Sequence, residues 1–396
     1  MPHRGLHGDA MGNQRRHAGA AAESPESSGQ LETHPRTRIH GRRGGRSGSK
    51  PLLTNGWPPA TIGVLFIVTT ADCGMVRVSV VVPTYDDADV VRPTFESLAA
   101  QTYDRFEVIV VDDGDDATPE IAREYGFRVV ERDTEGIASA LNRGIEVADG
   151  EFIARQDADD TSDPERLARQ VTYMDDHPRV GVLGTGATLV ADGRTRGRRR
   201  VLERVTHADL LETNHLIHGS VLMRRSAVEA VGGYDDDLDF IEDFDLWARM
   251  ARETEIHNLD APLYTFSIHD RSIYATRLRE IKLYERYVIG RERDTVPDNV
   301  GERVRTGDPE AVYEALDTGD RADFHRELAI ELLRYGRPVE ARPHARTAAG
   351  TAISPVDPAL LALSMLPGAL TRRVADLYRR VLNRRIRREN RRRTGR

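Results

Sequence analysis

The sequence predicts an α/β fold with a doubly wound, mostly parallel sheet and a helical C-terminal extension. Two observations lead to this prediction. From residue 76 onward, apolar strand segments alternate with amphipathic helical segments, which is the pattern of parallel βαβ units. Three of these strands also end in acidic clusters, and parallel strands bring their carboxyl ends to one edge of a sheet, where ligands bind.

The individual elements follow from the spacing of apolar residues. We expect strands at 76–82, 106–111, 127–130 and 152–154, each followed by an amphipathic helix. Beyond residue 180 the pattern predicts short strands at 180–183 and 188–190, and helices near 226–231 and from Glu242. A last short strand is expected at 264–268, and the chain after Arg271 is predicted to be helical.

Composition divides the chain into four parts. Residues 1–74 are rich in Gly, Ser, Arg, His and Pro, so we expect a disordered extension. Because Met75 directly precedes the first strand, this extension is also a candidate gene-start artefact. Residues 75–272 form the predicted α/β domain, residues 273–370 the helical region, and residues 371–396 a basic tail with twelve arginines and two acidic residues.

The sequence also indicates a compartment. Cys73 is the single cysteine and the run Ile62–Val68 is far shorter than the ~20 apolar residues that span a bilayer, so we expect a cytoplasmic protein. The apolar stretch Leu360–Leu370 followed by the basic tail is typical of a segment that binds an anionic membrane surface peripherally, here the inner face of the cell membrane. A solvated terminus is the alternative. The tail has almost no interleaved aromatic residues, so no nucleic acid partner is expected.

The acidic clusters contain the candidate functional residues. They are Pro83-Thr84-Tyr85-Asp86-Asp87 after the first strand, Asp112-Asp113-Gly114 after the second, and Asp157-Ala158-Asp159-Asp160 after the fourth. Crowded carboxylates repel one another unless a hard cation joins them, and Mg²⁺ or Mn²⁺ shared with a substrate diphosphate meets that need. In an extended turn, Asp157 and Asp159 point the same way. The alternative for this cluster is a solvated turn that caps the next helix.

These motifs, in this order and followed by Ile241-Glu242-Asp243-Phe244-Asp245-Leu246-Trp247, resemble those of family-2 glycosyltransferases with the GT-A fold. The likeness covers about residues 76–272. It implies an inverting, metal-dependent transferase of the hexosyltransferase type. Such an enzyme moves a sugar from a nucleotide-diphosphate sugar to a hydroxyl acceptor, which would be a lipid-linked molecule or a polysaccharide.

The resemblance also implies roles for single residues. Pro83, Thr84 and Tyr85 would line the nucleotide base pocket, and Asp113, with Asp112 beside it, would accept a hydrogen bond from the base. Asn142 and Arg143 lie on the helix that meets the nucleotide in the family. Asp157 and Asp159 would form the metal-binding D-x-D pair, with Asp159 the firmer ligand. For each of these residues a cap or turn role is the alternative.

The catalytic base is assigned to Glu242-Asp243, and the resemblance favours Asp243. A single displacement needs one carboxylate that takes the proton of the acceptor hydroxyl and no protein nucleophile. Asp245 is the substitute if Asp243 is not the base. Carboxylates at a helix start also serve as caps. His218, in a segment that resembles the acceptor-side loop, is a candidate substrate-binding residue, and His269, after the closing strand, is a candidate metal ligand.

Two other functions remain open at this stage. A nucleotidyltransferase would share the sheet and the metal carboxylates. However, its Gly-rich loop and phosphate-binding lysine are missing, since no lysine lies between Lys50 and Lys282. A nucleotide-sugar-binding module without turnover would keep Asp113 and Asp159 but lack a base. A dehydrogenase is disfavoured, because Gly184-Thr185-Gly186 has Leu189 at the position of the third glycine.

Overall fold

The computed structural model describes residues 75–131, 136–191, 193–238, 240–268 and 276–371, together with tail positions 373, 374, 377, 384, 386, 388 and 392. Two predictions lie outside the described residues: the disordered extension at 1–74 and the metal ligand His269. The sections below concern the described residues.

Ten strands form one mixed sheet in this part of the chain. They are β1 (Val78–Thr84), β2 (Phe106–Asp112), β3 (Arg128–Glu131), β4 (Phe152–Arg155), β5 (Thr161–Ser162), β6 (Val180–Ala191), β7 (Arg194–Arg199), β8 (Arg204–Val205), β9 (Leu222–Arg224) and β10 (Glu255–Ser267). The sheet has the order β3-β2-β1-β4-β9-β6-β10-β5, with β7 paired to β6 and β8 to β10.

The longer pairings are parallel. Strands β1, β2, β3 and β4 pair in parallel, and so do β6 and β10. The short strand β9 is antiparallel to both β4 and β6 and joins the two parallel groups. The sheet is therefore mostly parallel, as predicted, and the carboxyl ends of β1, β2 and β4 lie along one edge.

Helices cover both faces of the sheet. Those of the α/β part are α1 (Arg92–Ala99), α2 (Thr118–Glu124), α3 (Ile137–Glu146), α4 (Arg166–Asp176), α5 (His207–Glu212), α6 (Arg225–Ala230) and α7 (Glu242–Glu253), with a short 3₁₀ turn at His218–Ser220. Val80 and Val82 share an apolar cluster with α1, α2 and α4, whereas Val81 shares one with α3 and α7. Alternate residues of one strand thus bury on opposite faces, which confirms the doubly wound arrangement.

Two strands are longer than predicted. The short strands expected at 180–183 and 188–190 are one strand, β6, and the strand expected at 264–268 begins at Glu255. The Gly184-Thr185-Gly186 segment hid this continuity, because glycine usually weakens a strand. Here it is required, since the side chain of Asn258 fills the space that a Cβ of residue 184 would occupy.

The C-terminal region is helical, as predicted, and its described helices share a core with α7. They are α8 (Leu278–Glu292), α9 (Asp298–Arg305), α10 (Glu310–Ala315), α11 (Thr318–Arg334), α12 (Pro338–Thr351) and α13 (Asp357–Ser364). Phe244 and Ala248 of α7 belong to the same apolar cluster as Ile281 of α8 and Phe324 of α11. The helical region is therefore packed directly against the helix that begins with Glu242 and Asp243.

The apolar segment before the tail is only partly exposed. Leu360 is buried in the helical core, and Leu361 and Leu363 pack against it. Met365 and Leu377 are 63% and 62% exposed. Surface attachment through this segment would therefore depend on residues after α13. In the part of the chain that the structure describes, no helix combines the length and apolar character needed to cross a bilayer.

Candidate active site

The ends of β1 and β2 are joined by a buried hydrogen bond. Thr84 and Asp112 are opposite one another in the parallel pairing, and the Thr84 hydroxyl donates to Oδ1 of Asp112 at 2.5 Å. Both side chains are buried, and burial raises the pKa of Asp112. The following loops also touch, because a Cβ on Gly114 would lie 2.7 Å from Oδ1 of Asp86. Register and loop contact therefore fix the first two acidic clusters together.

The third acidic cluster faces the first. Burial raises the pKa of Asp87, and the carboxylates of Asp159, Asp116 and Asp112 raise it further. Since β1 pairs in parallel with both β2 and β4, the acidic ends of these three strands converge at one edge of the sheet. This is the convergence that the sequence predicted.

The predicted base pocket has an open and a closed side. Tyr85 is 66% exposed, so its ring is available to a ligand. Pro83 and Asp113 are half-buried, and the Asp113 N–H donates to the Thr84 carbonyl at 3.1 Å. The Thr84 hydroxyl already donates to Asp112, and both side chains are buried. Thr84 and Asp112 therefore support the base pocket from beneath its surface.

Asp157 is held by two groups that the sequence reasoning missed. It forms an ion pair with Arg155, a side chain only 3% exposed at the end of β4. The Tyr264 hydroxyl of β10 donates to Oδ2 of Asp157 at 3.2 Å. Gly219 packs so close to both Tyr264 and Asp157 that a Cβ would not fit. One signal could have identified Arg155: it is a charged residue that ends an otherwise apolar strand. Tyr264 carries no comparable signal.

Asp160 ties the cluster to the far half of the sheet. It is 1% exposed, and its Oδ1 accepts a 2.6 Å hydrogen bond from the backbone N–H of Ser267. Burial, with the charges of Asp157 and Asp159, holds the pKa of Asp160 well above its usual range. Asp160 therefore has a structural role, and the half-buried Asp159 is the member of the cluster that faces the other strand ends.

A second acidic centre lies at the start of α7. Oδ2 of Asp243 accepts a hydrogen bond from Nδ2 of Asn214 at 3.1 Å, and its Oδ1 accepts from the Phe244 N–H at 2.6 Å. Burial raises the pKa of Asp243, and the charge of Glu285 adds to this effect. A raised pKa makes a carboxylate a better proton acceptor, which is what a general base requires.

Glu242 is more enclosed than Asp243. It is 6% exposed, and its Oε1 lies 3.5 Å from Nδ1 of His218, whose Nε2 is hydrogen-bonded to the Tyr234 hydroxyl at 2.9 Å. Burial and the charge of Arg155 hold the pKa of His218 well below its usual range, so this imidazole is neutral. Glu242, His218 and Tyr234 thus form a buried polar row beside Asp243.

Asp245, the substitute candidate for the base, has a structural role. It is completely buried and pairs with Arg249 at 2.6 Å and with Arg291 of α8. A carboxylate locked between two guanidinium groups cannot approach an acceptor hydroxyl. The geometry therefore removes Asp245 from the candidates for the base.

The two residues predicted on α3 differ. Asn142 uses its whole amide on the loop before α7: Nδ2 donates to the Tyr234 carbonyl and to Asp236, both at 2.9 Å, and Oδ1 accepts from the Tyr234 N–H. Arg143 pairs with Glu146 at the surface. Asn142 therefore positions Tyr234, and a nucleotide contact by either residue stays a prediction.

The strand-end carboxylates offer a divalent cation a partial set of ligands. Among the described residues, which exclude His269, no three His, Cys, Asp or Glu side chains are arranged to hold a metal ion by themselves. The crowded carboxylates and the raised pKa of Asp87 fit a hard cation that shares its shell with substrate phosphates. The residues therefore fit a sparse site, centred on Asp159 and Asp157, and not a closed protein cage.

Comparison with known sequences gives the family. The family model described as Glycosyl transferase family 2 matches residues 79–232. The putative glycosyltransferase EpsE of Bacillus subtilis is 32% identical over 200 residues, which cover 48% of this chain and 72% of EpsE. The putative glycosyltransferase EpsH of the same organism is 31% identical over 234 residues, covering 52% of this chain and 67% of EpsH.

Solved structures show weaker likenesses. S. aureus TarS 1–349 in complex with UDP-GlcNAc has a TM-score of 0.48 and 19% identity, covering 81% of this chain and 92% of TarS 1–349. Mannosyltransferase PcManGT from Pyrobaculum calidifontis, in complex with GDP-Man and Mn²⁺, has a TM-score of 0.46 and 22% identity, covering 78% and 88%. The family assignment rests on the sequence relatives. By its identity to EpsE over most of that relative's length, this chain belongs to glycosyltransferase family 2.

Proposed function

We propose that this protein is an inverting glycosyltransferase that moves a sugar from a nucleotide-diphosphate sugar to an acceptor hydroxyl. The observation that carries the proposal is the pairing of two acidic centres across one cleft. The 3₁₀ turn at His218–Ser220 links them, because Gly219 packs against Asp157 and His218 lies 3.5 Å from Glu242, the neighbour of Asp243. The centre at the strand ends suits a diphosphate with its cation. The centre at the start of α7 suits a group that accepts a proton.

On the donor side, Tyr85 packs on the nucleotide base and Asp113 accepts a hydrogen bond from it. A divalent cation, Mg²⁺ or Mn²⁺, would neutralise the leaving diphosphate and would be held by Asp159 with Asp157. Arg155, which forms an ion pair with Asp157, lies beside this proposed cation site. The structures of TarS with UDP-GlcNAc and of PcManGT with GDP-Man suggest UDP- and GDP-sugars as the first donors to test.

On the acceptor side, Asp243 takes the proton of the acceptor hydroxyl. The freed oxygen attacks the anomeric carbon, the bond from that carbon to the diphosphate oxygen breaks, and the configuration inverts. Asp243 is favoured over Glu242 because it is the less enclosed of the two. Asn214 orients its carboxylate, and the raised pKa strengthens it as a base.

The proposed location is cytoplasmic, with peripheral attachment to the inner face of the cell membrane. The arginine-rich tail and the exposed Met365, Leu370 and Leu377 support this proposal. Attachment there would place the cleft near a lipid-linked acceptor or a growing polysaccharide.

The test is release of nucleoside diphosphate from UDP-GlcNAc and GDP-mannose, each with Mn²⁺, Mg²⁺ or EDTA, measured by chromatography. We expect cation-dependent release from at least one donor, faster when a glycan acceptor is added. A binding module would give a calorimetric signal without release, and a nucleotidyltransferase would release sugar 1-phosphate and nucleoside triphosphate only when pyrophosphate is added. Either result would contradict the proposal.

A further inference from the structure

Helix α4 packs on the sheet with two polar side chains among its apolar ones. Leu167, Val171 and Met174 belong to an apolar cluster of the sheet. Arg166 and Gln170, which lie one turn apart on the same side of the helix, are also fully buried. Burying a polar or charged group is costly unless it is hydrogen-bonded, so the partners of these two side chains indicate their role.

Arg166 joins the 3₁₀ turn at His218–Ser220 to the end of β4. Its Nη1 donates to the carbonyl of Gly219 at 2.7 Å and to the carbonyl of Arg155 at 3.2 Å. Its guanidinium also lies over the ring of Tyr264, with Cζ 5.7 Å from the ring centroid. A single nitrogen atom of Arg166 therefore fixes the distance between the turn and β4.

Gln170 makes a similar bridge to β6. Its Nε2 donates to the carbonyls of Ser220 and Leu183, both at 2.9 Å. The Ser220 hydroxyl is bound to the same strand, because it accepts from the Thr185 N–H at 3.1 Å. Two side chains of α4 thus hold successive carbonyls of the turn between β4 and β6.

The turn that is held in this way touches both acidic centres. Gly219 packs so closely against Asp157 that a Cβ would not fit between them. His218 lies 3.5 Å from Glu242, the neighbour of Asp243. Because His218 and Gly219 are adjacent in the chain, a shift of the turn at one centre would also disturb the contact at the other.

The charge of Arg166 is not explained by the stability of the fold. Among the residues that the structure describes, its Nε and Nη2 have no hydrogen-bond partner, and burial lowers its pKa to about 10. Burying such a charge is costly, and replacing buried charged groups by apolar side chains of similar size is often neutral or stabilising. The contacts with the turn therefore indicate a functional reason for an arginine at this position.

We propose that Arg166 and Gln170 are positioning residues for transfer, which hold the turn at His218–Ser220 so that the donor centre and the base keep the spacing that the reaction needs. Both side chains are fully buried, so they act through the turn and not on a substrate. A misplacement of about 1 Å can lower a rate about a hundredfold. This inference rests on the proposed function and adds two residues to it that lie outside the two acidic centres.

The test compares Arg166→Met with Arg166→Lys in the full chain. Release of nucleoside diphosphate from UDP-GlcNAc and GDP-mannose with Mn²⁺ gives kcat and KM, and hydrogen exchange of segment 214–221 reports on the turn itself. We expect Arg166→Met to lower kcat about tenfold or more, to change KM for the donor only a few-fold, and to speed exchange in this segment. Arg166→Lys should recover most of both losses, because one nitrogen of Arg166 makes both hydrogen bonds and an ammonium group can replace it.

Arg169→Met is the matched control, because Arg169 is exposed on the same helix. It should match wild type in kcat and in exchange. Gln170→Met is the second variant, since it removes two hydrogen bonds without removing a charge, and it should change kcat and exchange in the same direction as Arg166→Met. Urea denaturation shows whether each variant is folded under the assay conditions, and Gln170→Met decides if Arg166→Met is not.

Wild-type kcat and exchange in the folded variants would overturn the inference and leave the proposed function standing. Faster exchange with an unchanged kcat would also overturn it, because the contacts would then be structural only. If wild type releases no nucleoside diphosphate from either donor, the proposed function fails, and the positioning role fails with it whatever the exchange shows.

Discussion

The two acidic centres of the cleft are held in place by different means. At the strand ends, neighbouring strands fix the carboxylates: Thr84 faces Asp112 in register, and Asp160 binds the backbone of β10. At the start of α7, side chains from distant segments fix them: Asp243 is held by Asn214, and Asp245 by Arg291 of the helical region. The first centre is therefore a product of the sheet, whereas the second depends on how three parts of the chain pack together.

This difference has a functional consequence. A centre built by strand pairing is available to any enzyme with the same sheet, which suits the common donor chemistry of a family. A centre built by packing can change with the segments that surround it. In the proposed function the centre at the start of α7 is the acceptor side, so specificity could vary there without loss of the fold.

The largest effect is expected at the strand-end centre. Asp159→Ala should abolish cation-dependent binding of a nucleotide sugar, because the diphosphate would lose the carboxylate that shares its cation. Isothermal calorimetry with Mn²⁺ measures this. Asp149→Ala is the control, since Asp149 is 73% exposed in the turn before β4. Unchanged affinity in Asp159→Ala would place the cation elsewhere.

The second effect is on stability at the α7 centre. Asp245→Asn should lower the free energy of unfolding by about 3 kcal/mol, the low end for breaking a buried ion pair. The low end applies because Arg249 and Arg291 remain 23% and 27% exposed and can be hydrated. Urea denaturation measures it, with Glu253→Gln on the exposed face of α7 as the control. A loss below 0.5 kcal/mol would show that the helical region does not depend on this contact.

The helical region should also lose stability as pH falls, which is the opposite of what the raised pKa of the strand-end carboxyls Asp112 and Asp160 implies. Burial, together with His344 and Arg279, lowers the pKa of His325 to about 4, and His325 is 2.8 Å from His344 through their Nδ1 atoms. The folded state disfavours the charged imidazole, so the stability is complete above the unfolded pKa of about 6.5 and is lost as pH falls towards about 4.

The expected slope is up to about 1.4 kcal/mol per pH unit for each proton taken up only by the unfolded chain. Denaturation at pH 7, 6, 5 and 4 measures it, and His325→Gln should flatten the curve. Parallel curves for the two proteins would mean that His325 titrates normally in the folded state.

The smallest effect is expected at the tail. Met365→Ser combined with Leu377→Ser should reduce co-sedimentation with anionic vesicles a few-fold, because both side chains are exposed and available to the bilayer surface. Melting temperature should not change, since exposed substitutions rarely alter stability. Equal sedimentation of variant and wild type, or none by either, would leave the tail without a membrane role.

The sequence predicted the strand-end centre because its signals are local. A Val-rich run followed by Asp-Asp is visible in a few residues, and parallel strand pairing then brings the acidic ends together. The α7 centre was predicted only in part. Asp243 was identified through the family resemblance, but Asn214 as its partner and Asp245 as an ion-pair residue depend on packing between segments more than 25 residues apart.

The measurement that tests the central claim most directly is single-turnover transfer by Asp243→Asn at saturating donor. The account predicts a rate ~10²–10⁴-fold below wild type, the usual contribution of a positioned base. Donor affinity should stay within a few-fold, because the strand-end centre is intact. Transfer at a near wild-type rate would contradict the account and would move the base to Glu242, the remaining acid at the start of α7.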